Sequence, residues 1–190
     1  MPNIGFWAIA GAGGAAAGAY ELISTTVLST TATTVTFSSI PQNYKHLQIR
    51  TTSKSNYTSA GYQGSRQLIF NGDYTSNWSS HRIWGTGSTV SSEAYGLSGA
   101  TGGYGWGIAN SGTSMFDASV IDILDYTSTS KNKTLRSLSG FTNTASADYR
   151  IALTSAAWRS TAAVNEILFT MNDGSSYQVG TRFSLYGVKG

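Results

Sequence analysis

The sequence predicts an all-β fold, an antiparallel β-sandwich of jelly-roll type, on three observations. Serine, threonine and glycine are abundant and aromatics reach 12% of the 190 residues, a mix poor for helices and suited to strands and turns. About eight to ten short apolar runs alternate with turn residues, as in sandwiches and barrels. No run has a convincing helical period and no segment repeats at fixed spacing, which sets propellers and solenoids aside.

Composition narrows the class further. The length suits one domain, placed at residues 20–190, with a sizeable core. Charged residues are 11% of the chain, against about 25% in ordinary soluble domains, so hydroxyls rather than charges solvate the surface. The net charge of +3 and a pI near 9.2 rest on scattered basic residues. The densest group, Lys131 to Arg136, reads as a solvated turn; nucleic-acid binding needs a continuous basic stripe, and none is expected. With no cysteine, disulfides and Cys-ligated metals are excluded.

Residues 1–19 carry no charge. They open with Ile4, Phe6, Trp7 and Ile9 and continue as a Gly/Ala run from Ala10 to Ala19. A signal peptide would need a basic start and an unbroken apolar stretch; a membrane helix would need about 20 apolar residues with few glycines. Gly11-Ala12-Gly13-Gly14 lacks the spacing and the flanking strand and helix of a dinucleotide or phosphate loop. Four apolar side chains return less than the ordering of such a glycine-rich segment costs. The segment is therefore expected to be a docking arm that gains its order from a surface it binds, either on its own body or on a neighbouring subunit.

The body follows in order. Tyr20 to Leu28 reads as a strand, and Thr33 to Ile40 as a second with Val35 and Phe37 on one face, ended by Pro41. His46 to Thr52 places Leu47, Ile49 and Thr51 inward and His46, Gln48 and Arg50 outward. Arg66 to Phe70 is a short apolar strand before the turn Asn71-Gly72-Asp73, and Trp78 to Trp84 puts Trp78, Ser80, Arg82 and Trp84 on one face. Gly85 to Ser114 is a long Gly/Ser/Thr-rich loop carrying Tyr95, Tyr104 and Trp106, with weak strands at Ser88 to Ser92 and Gly103 to Ile108; loops of that length are commonly functional. Met115 to Tyr126 is apolar on both faces, which predicts a central strand covered on both sides. Lys133 to Phe141 returns from it, and Tyr149 to Trp158 alternates through Tyr149, Ile151 and Leu153. Ala163 to Met171 leads into Asn172-Asp173-Gly174, the strongest hairpin signal in the chain, and Tyr177 to Val188 returns with Val179, Phe183 and Leu185.

Catalytic and metal sets do not rise above background. The two histidines, His46 and His81, accompany no Gly-x-Ser-x-Gly elbow, and Asp122 and Asp125 do not converge on a metal. Asn71, Asp73, Asn172 and Asp173 serve turns. Asp117, Asp122, Asp125 and Glu166 can pair with Arg136 or Arg150 across strands, a weak interaction when exposed. A pair of opposed carboxylates for glycoside hydrolysis is not signalled. The chain is expected to be no enzyme and to use no cofactor or metal. Trp78, Trp84, Tyr95, Tyr104 and Trp106 are the candidates for glycan or partner contacts, since aromatic faces stack on sugars and fill interfaces.

Several stretches carry a resemblance: Tyr20-Glu21-Leu22-Ile23, Val35-Thr36-Phe37-Ser38-Ser39-Ile40-Pro41, Tyr44-Lys45-His46-Leu47-Gln48-Ile49-Arg50, Phe70-Asn71-Gly72-Asp73 and Phe183-Ser184-Leu185-Tyr186-Gly187-Val188. Together with the Gly/Ala-rich start they resemble structural proteins of tailed-bacteriophage virions, described as minor tail, fibre or capsid-surface proteins. The resemblance implies a non-enzymatic virion component with a β-sandwich body. It further implies a homo-oligomer, expected as a trimer, whose partners are other capsid or tail proteins. Capsid decoration or cementing is preferred over a tail or fibre place, because a small single domain with an arm suits it. The alternative is an adhesion module of a tail fibre that binds host surface glycans through the loop aromatics. Neither nucleic acid nor membrane is an expected partner.

Overall fold

The structure, a computed structural model, describes residues 18–57, 64–95, 103–108, 115–143, 148–171 and 173–190. Among the described residues there are twelve strands and no helix: β1 (Tyr20–Val27), β2 (Thr34–Phe37), β3 (His46–Ser53), β4 (Gly64–Phe70), β5 (Trp78–Gly85), β6 (Val90–Tyr95), β7 (Gly103–Ile108), β8 (Asp117–Leu124), β9 (Lys133–Asn143), β10 (Asp148–Trp158), β11 (Ile167–Met171) and β12 (Arg182–Val188). They form an eight-stranded sheet in the order β1-β12-β3-β8-β9-β10-β5-β6 and a four-stranded sheet in the order β2-β11-β4-β7. Every pairing is antiparallel.

The two sheets face each other over one core. Leu47, Ile49, Ile121, Ile123, Phe183 and Leu185 of the large sheet meet Val35, Phe37, Leu68, Phe70, Ile167 and Phe169 of the small one, all buried. Each set alternates along its strands, which is what period-2 patterning requires when one face is covered. Phe70, Trp78 and Trp158 form an aromatic group with centroids 5.1–6.0 Å apart. Asp73 satisfies both indoles: its carboxylate accepts from Trp158 Nε1 at 2.6 Å and its backbone carbonyl from Trp78 Nε1 at 3.1 Å.

The turns behave as the sequence predicts locally but not in what they join. Asn71 and Gly72 both take positive φ (51° and 66°), and Asp73 N–H closes the turn on the Phe70 carbonyl at 2.9 Å. The Asn71 side chain then holds the loop before β11, donating to Ala163 O and accepting from the amides of Asn165 and Glu166. Gly174 has φ 75° in the second turn. Yet each turn sends the chain from the small sheet to the large one, so Asn172-Asp173-Gly174 makes no hairpin; Asn172 itself lies outside the described residues. Tyr177 instead bridges Ala32 and Ser55 and is fully buried, while Val179 sits exposed before Gly180.

Two further expectations change. Met115 to Tyr126 is shorter as a strand, and among the described residues only its inner face is covered: Val120 and Leu124 are each 39% exposed. On β10 the polarity is reversed. Ala152, Thr154, Ala156 and Trp158 point inward, and Tyr149, Ile151 and Leu153 point outward. The reason is close approach at this end of the sandwich. Cα atoms of β7 come within 8 Å of β9 and β10, against about 10 Å for ordinary stacked sheets. Small inner residues, Ser137 and Ser139 on β9 and Ala152 and Thr154 on β10, fit that gap; isoleucine and leucine do not.

A candidate interaction surface on the large sheet

Strand register gathers the outward apolar residues into one band. Val120 of β8 is opposite Leu138 of β9, Leu138 is opposite Leu153 of β10, and Leu153 is opposite Ile83 of β5. This row is exposed throughout, at 39%, 53%, 51% and 48%. The adjacent row runs Ala118, Gly140, Ile151, Gly85 and Val90 by the same pairings. Ile151 (61%) and Val90 (74%) protrude from it, and the small residues between them leave the sheet backbone low. Directly paired side chains on one face touch, so the two rows act as a single apolar surface. On the other flank the surface turns polar: Asp122, Arg136, Ser155 and His81 are in register, with Arg136 Nε 3.1 Å from Asp122 Oδ2.

One end of the band is concave. A depression of about 700 Å³ has Ala118 and Gly140 in its floor, with Met115, Phe116, Val120, Leu138 and Ile151 around it and Arg50 and Arg150 at its rim. The Phe116 ring lies against Gly180, where a Cβ would come within 3.3 Å of it. Arg50 is held by Gln48 Oε1 at 2.9 Å, and its guanidinium lies over the rings of Tyr186 (4.9 Å) and Tyr20 (5.4 Å). Arg50 is therefore directed towards β1 and β12, and the lining of the depression is mostly apolar. Such a surface can bury another apolar segment. Among its described lining residues no histidine or carboxylate side chain stands beside a hydroxyl.

Beneath the band the sandwich interior is polar and carries a buried ion pair. Arg66 reaches from the small sheet to Thr51 Oγ1 (2.9 Å) and Ser119 Oγ (2.8 Å) of the large one, with Asp117 Oδ2 at 3.8 Å. Asp117 accepts from the Ser53 amide at 2.6 Å and from the Ser53 hydroxyl. Burial pushes the Asp117 carboxyl up to about 6, only partly offset by Arg66 and by the hydrogen bonds from Ser53 and Ser119. This is a tie between sheets, closed to solvent on all sides, since Arg66 and Asp117 are each 1% exposed. Among the described residues no group of three or more His, Asp or Glu is placed to hold a metal, and no helix is long and apolar enough to cross a membrane.

The residues singled out from the sequence fall in different places. Ile4, Phe6, Trp7 and Ile9 lie outside the described residues. Trp78 is a core residue with no exposed surface, packed on Phe70 and Trp158, so it offers no face to a sugar. Trp84 is half-buried under the Arg82 guanidinium, 5.2 Å from its ring, and Arg82 pairs with Glu93 on the neighbouring strand. The backbones of Tyr95 on β6 and of Tyr104 and Trp106 on β7 are placed, while their side chains lie outside what is described. His46, at the start of β3, accepts the Asp125 amide through Nδ1 at 3.0 Å and ties that strand to the turn after β8. The surface residues that matter, Ile83, Leu138, Ile151 and Leu153, were legible as apolar but not as exposed. The available signal was the run of small residues opposite them on β10, which marks the side that must fit a narrow gap. Compared with protein-family models, with curated proteins and with solved structures, the chain matches none.

Proposed function

We propose that this chain is a non-enzymatic structural subunit of a bacteriophage particle. It sits on the virion surface, by preference as a capsid decoration or cement, and joins other subunits through the outer face of its large sheet and through residues 1–19. The observation that carries the reading is the apolar band. A chain that solvates itself with hydroxyls nevertheless leaves five large aliphatic side chains of one sheet face about 40–60% exposed in register. A contiguous patch of this kind marks an association site. Burying the exposed halves of five such side chains on each of two partners would return on the order of 7–15 kcal/mol, which is comparable to the cost of association.

The strand order supports a jelly-roll reading of the same fold. With the β5-β6 and β9-β10 strands set aside, β1 pairs β12, β2 pairs β11, β3 pairs β8 and β4 pairs β7. That is one long antiparallel hairpin, β1-β2-β3-β4 against β7-β8-β11-β12, folded over so that successive pairs lie in alternate sheets. Jelly rolls of this kind build viral capsid and lectin domains. The two extra strand pairs widen only the large sheet, and they contribute Leu138, Ile151, Leu153 and Ile83 to the band. Closed symmetry is the usual outcome for such homo-oligomers, and a trimer is the expected state.

Analytical ultracentrifugation tests the reading. The wild-type chain should sediment as an oligomer, and Leu138→Lys should weaken its self-association at least about tenfold with its melting temperature nearly unchanged. A wild-type chain that remains monomeric at high concentration, or a Leu138→Lys variant that associates as the wild type does, would overturn it.

A further inference from the structure

We infer that the depression over Ala118 and Gly140 receives residues 1–17 of a neighbouring copy of the chain, with the Ile4, Phe6, Trp7 and Ile9 cluster seated against Phe116, Val120 and Ile151. The inference rests on the reading of the chain as an assembling subunit and names the occupant of part of its surface. Chemistry matches first: a segment without charge meets a depression whose lining is mostly apolar and one of whose two arginines, Arg50, is drawn aside by Gln48, Tyr20 and Tyr186. The volume, about 700 Å³, lies within the range of sites that enclose several large groups.

Direction points to the neighbour, and the cross-linking below separates it from a return to the same chain. The chain enters the fold along the edge strand, still paired at Ala19, whose carbonyl accepts from Lys189 N–H at 3.0 Å. Tyr20 is level with Val188 and hence with His46, whereas Ala118 is level with Thr52 at the other end of the sheet. Those levels are six residues apart, roughly 20 Å along the strands. At Ala19, traced towards the N-terminus, the edge strand is therefore heading away from its own depression and out beyond the sheet. Thirteen residues separate Tyr20 from Trp7 and span up to about 43 Å, enough to cross to an adjoining subunit.

Because the chain has no cysteine, single cysteines report the contact cleanly. Trp7→Cys protein is mixed with Leu138→Cys protein at equal concentration and oxidised mildly, with Thr75→Cys as the surface control. A disulfide between the two chains, at least about tenfold above the Thr75→Cys control, is the expected result. A Trp7→Cys/Leu138→Cys double variant that closes only within one chain would overturn the inference, as would linkage no better than the control. Sedimentation of the same samples separates the two readings. An oligomer without the cross-link removes only the arm's place, whereas a monomer removes the assembling surface as well.

Discussion

Replacing Arg66 by methionine should destabilise the protein in a strongly pH-dependent way. The guanidinium crosses from one sheet to the other and is the cation beside the buried Asp117 carboxyl. In the wild type that carboxyl already sits at about 6 because burial outweighs Arg66 and its hydrogen bonds. The sign follows from linkage. Between the unfolded value of 3.8 and about 6 the folded chain holds a proton that the unfolded chain has released. Stability from this group therefore falls as pH rises through that window and levels off above it. Without Arg66 the folded carboxyl should titrate well above its wild-type position, because burial is then opposed only by its hydrogen bonds. The extra loss should be small at pH 5 and clearly larger at pH 8. The total there should reach about 3–5 kcal/mol, as for other buried pairs stripped of one partner. Urea unfolding of wild type, Arg66→Met and Arg66→Met/Asp117→Asn at the two pH values measures this, and the double variant should regain most of the loss. An equal penalty at pH 5 and pH 8 would refute the electrostatic account and leave only packing.

Three other outcomes are expected. Burial raises the Asp73 carboxyl, but hydrogen bonds from Thr75, Trp158 and Asn77 outweigh it and hold it down at about 2; its contribution is present above the ordinary value of 3.8 and is lost as pH falls towards 2. Asp73→Ala should cost about 1–3 kcal/mol at pH 7 by leaving an indole N–H unpaired, and acid unfolding followed by tryptophan fluorescence should then be less steep below pH 4. Lys133 is fully buried with Nζ donating to the carbonyls of Ser128 (2.6 Å), Lys131 (2.8 Å) and Thr161 (3.2 Å); Lys133→Met should cost about 2–4 kcal/mol in thermal or urea unfolding by stranding those acceptors. At Gly187 a Cβ would overlap the Tyr44 ring, so Gly187→Ala should displace that ring and destabilise by about 1–3 kcal/mol, whereas Gly187→Ala combined with Tyr44→Ala should cost less than the sum of the two single changes.

The same residues show how far one sequence could be read. Strands at Leu47 to Thr51 and at Val35 to Phe37 were legible with the correct inner faces because a large apolar side chain alternates there with a polar one, and only one register buries it. Trp78 and Trp84 shared a predicted face and do share it, but which face was buried depended on Trp158, far away in sequence, as well as on the nearby Phe70 and Asp73. For β10 alternation gave the period correctly and the polarity wrongly. Apolar residues face a core only where the opposing layer leaves room for them, and β7 lies too close to β9 and β10 for that.

By itself the sequence determined the all-β class, the positions of most strands, the turns at Asn71-Gly72 and Asp173-Gly174, and the uncharged character of residues 1–19, because these depend on side chains within a few positions of each other. Only the tertiary structure decided that both turns cross between sheets and that Arg66 meets Asp117. It also decided that Val120, Leu138, Leu153 and Ile83 line up on an open face. Each of these is a matter of sheet order and interlayer distance. Those follow from pairings between strands far apart in the chain, and no local pattern of residues encodes them.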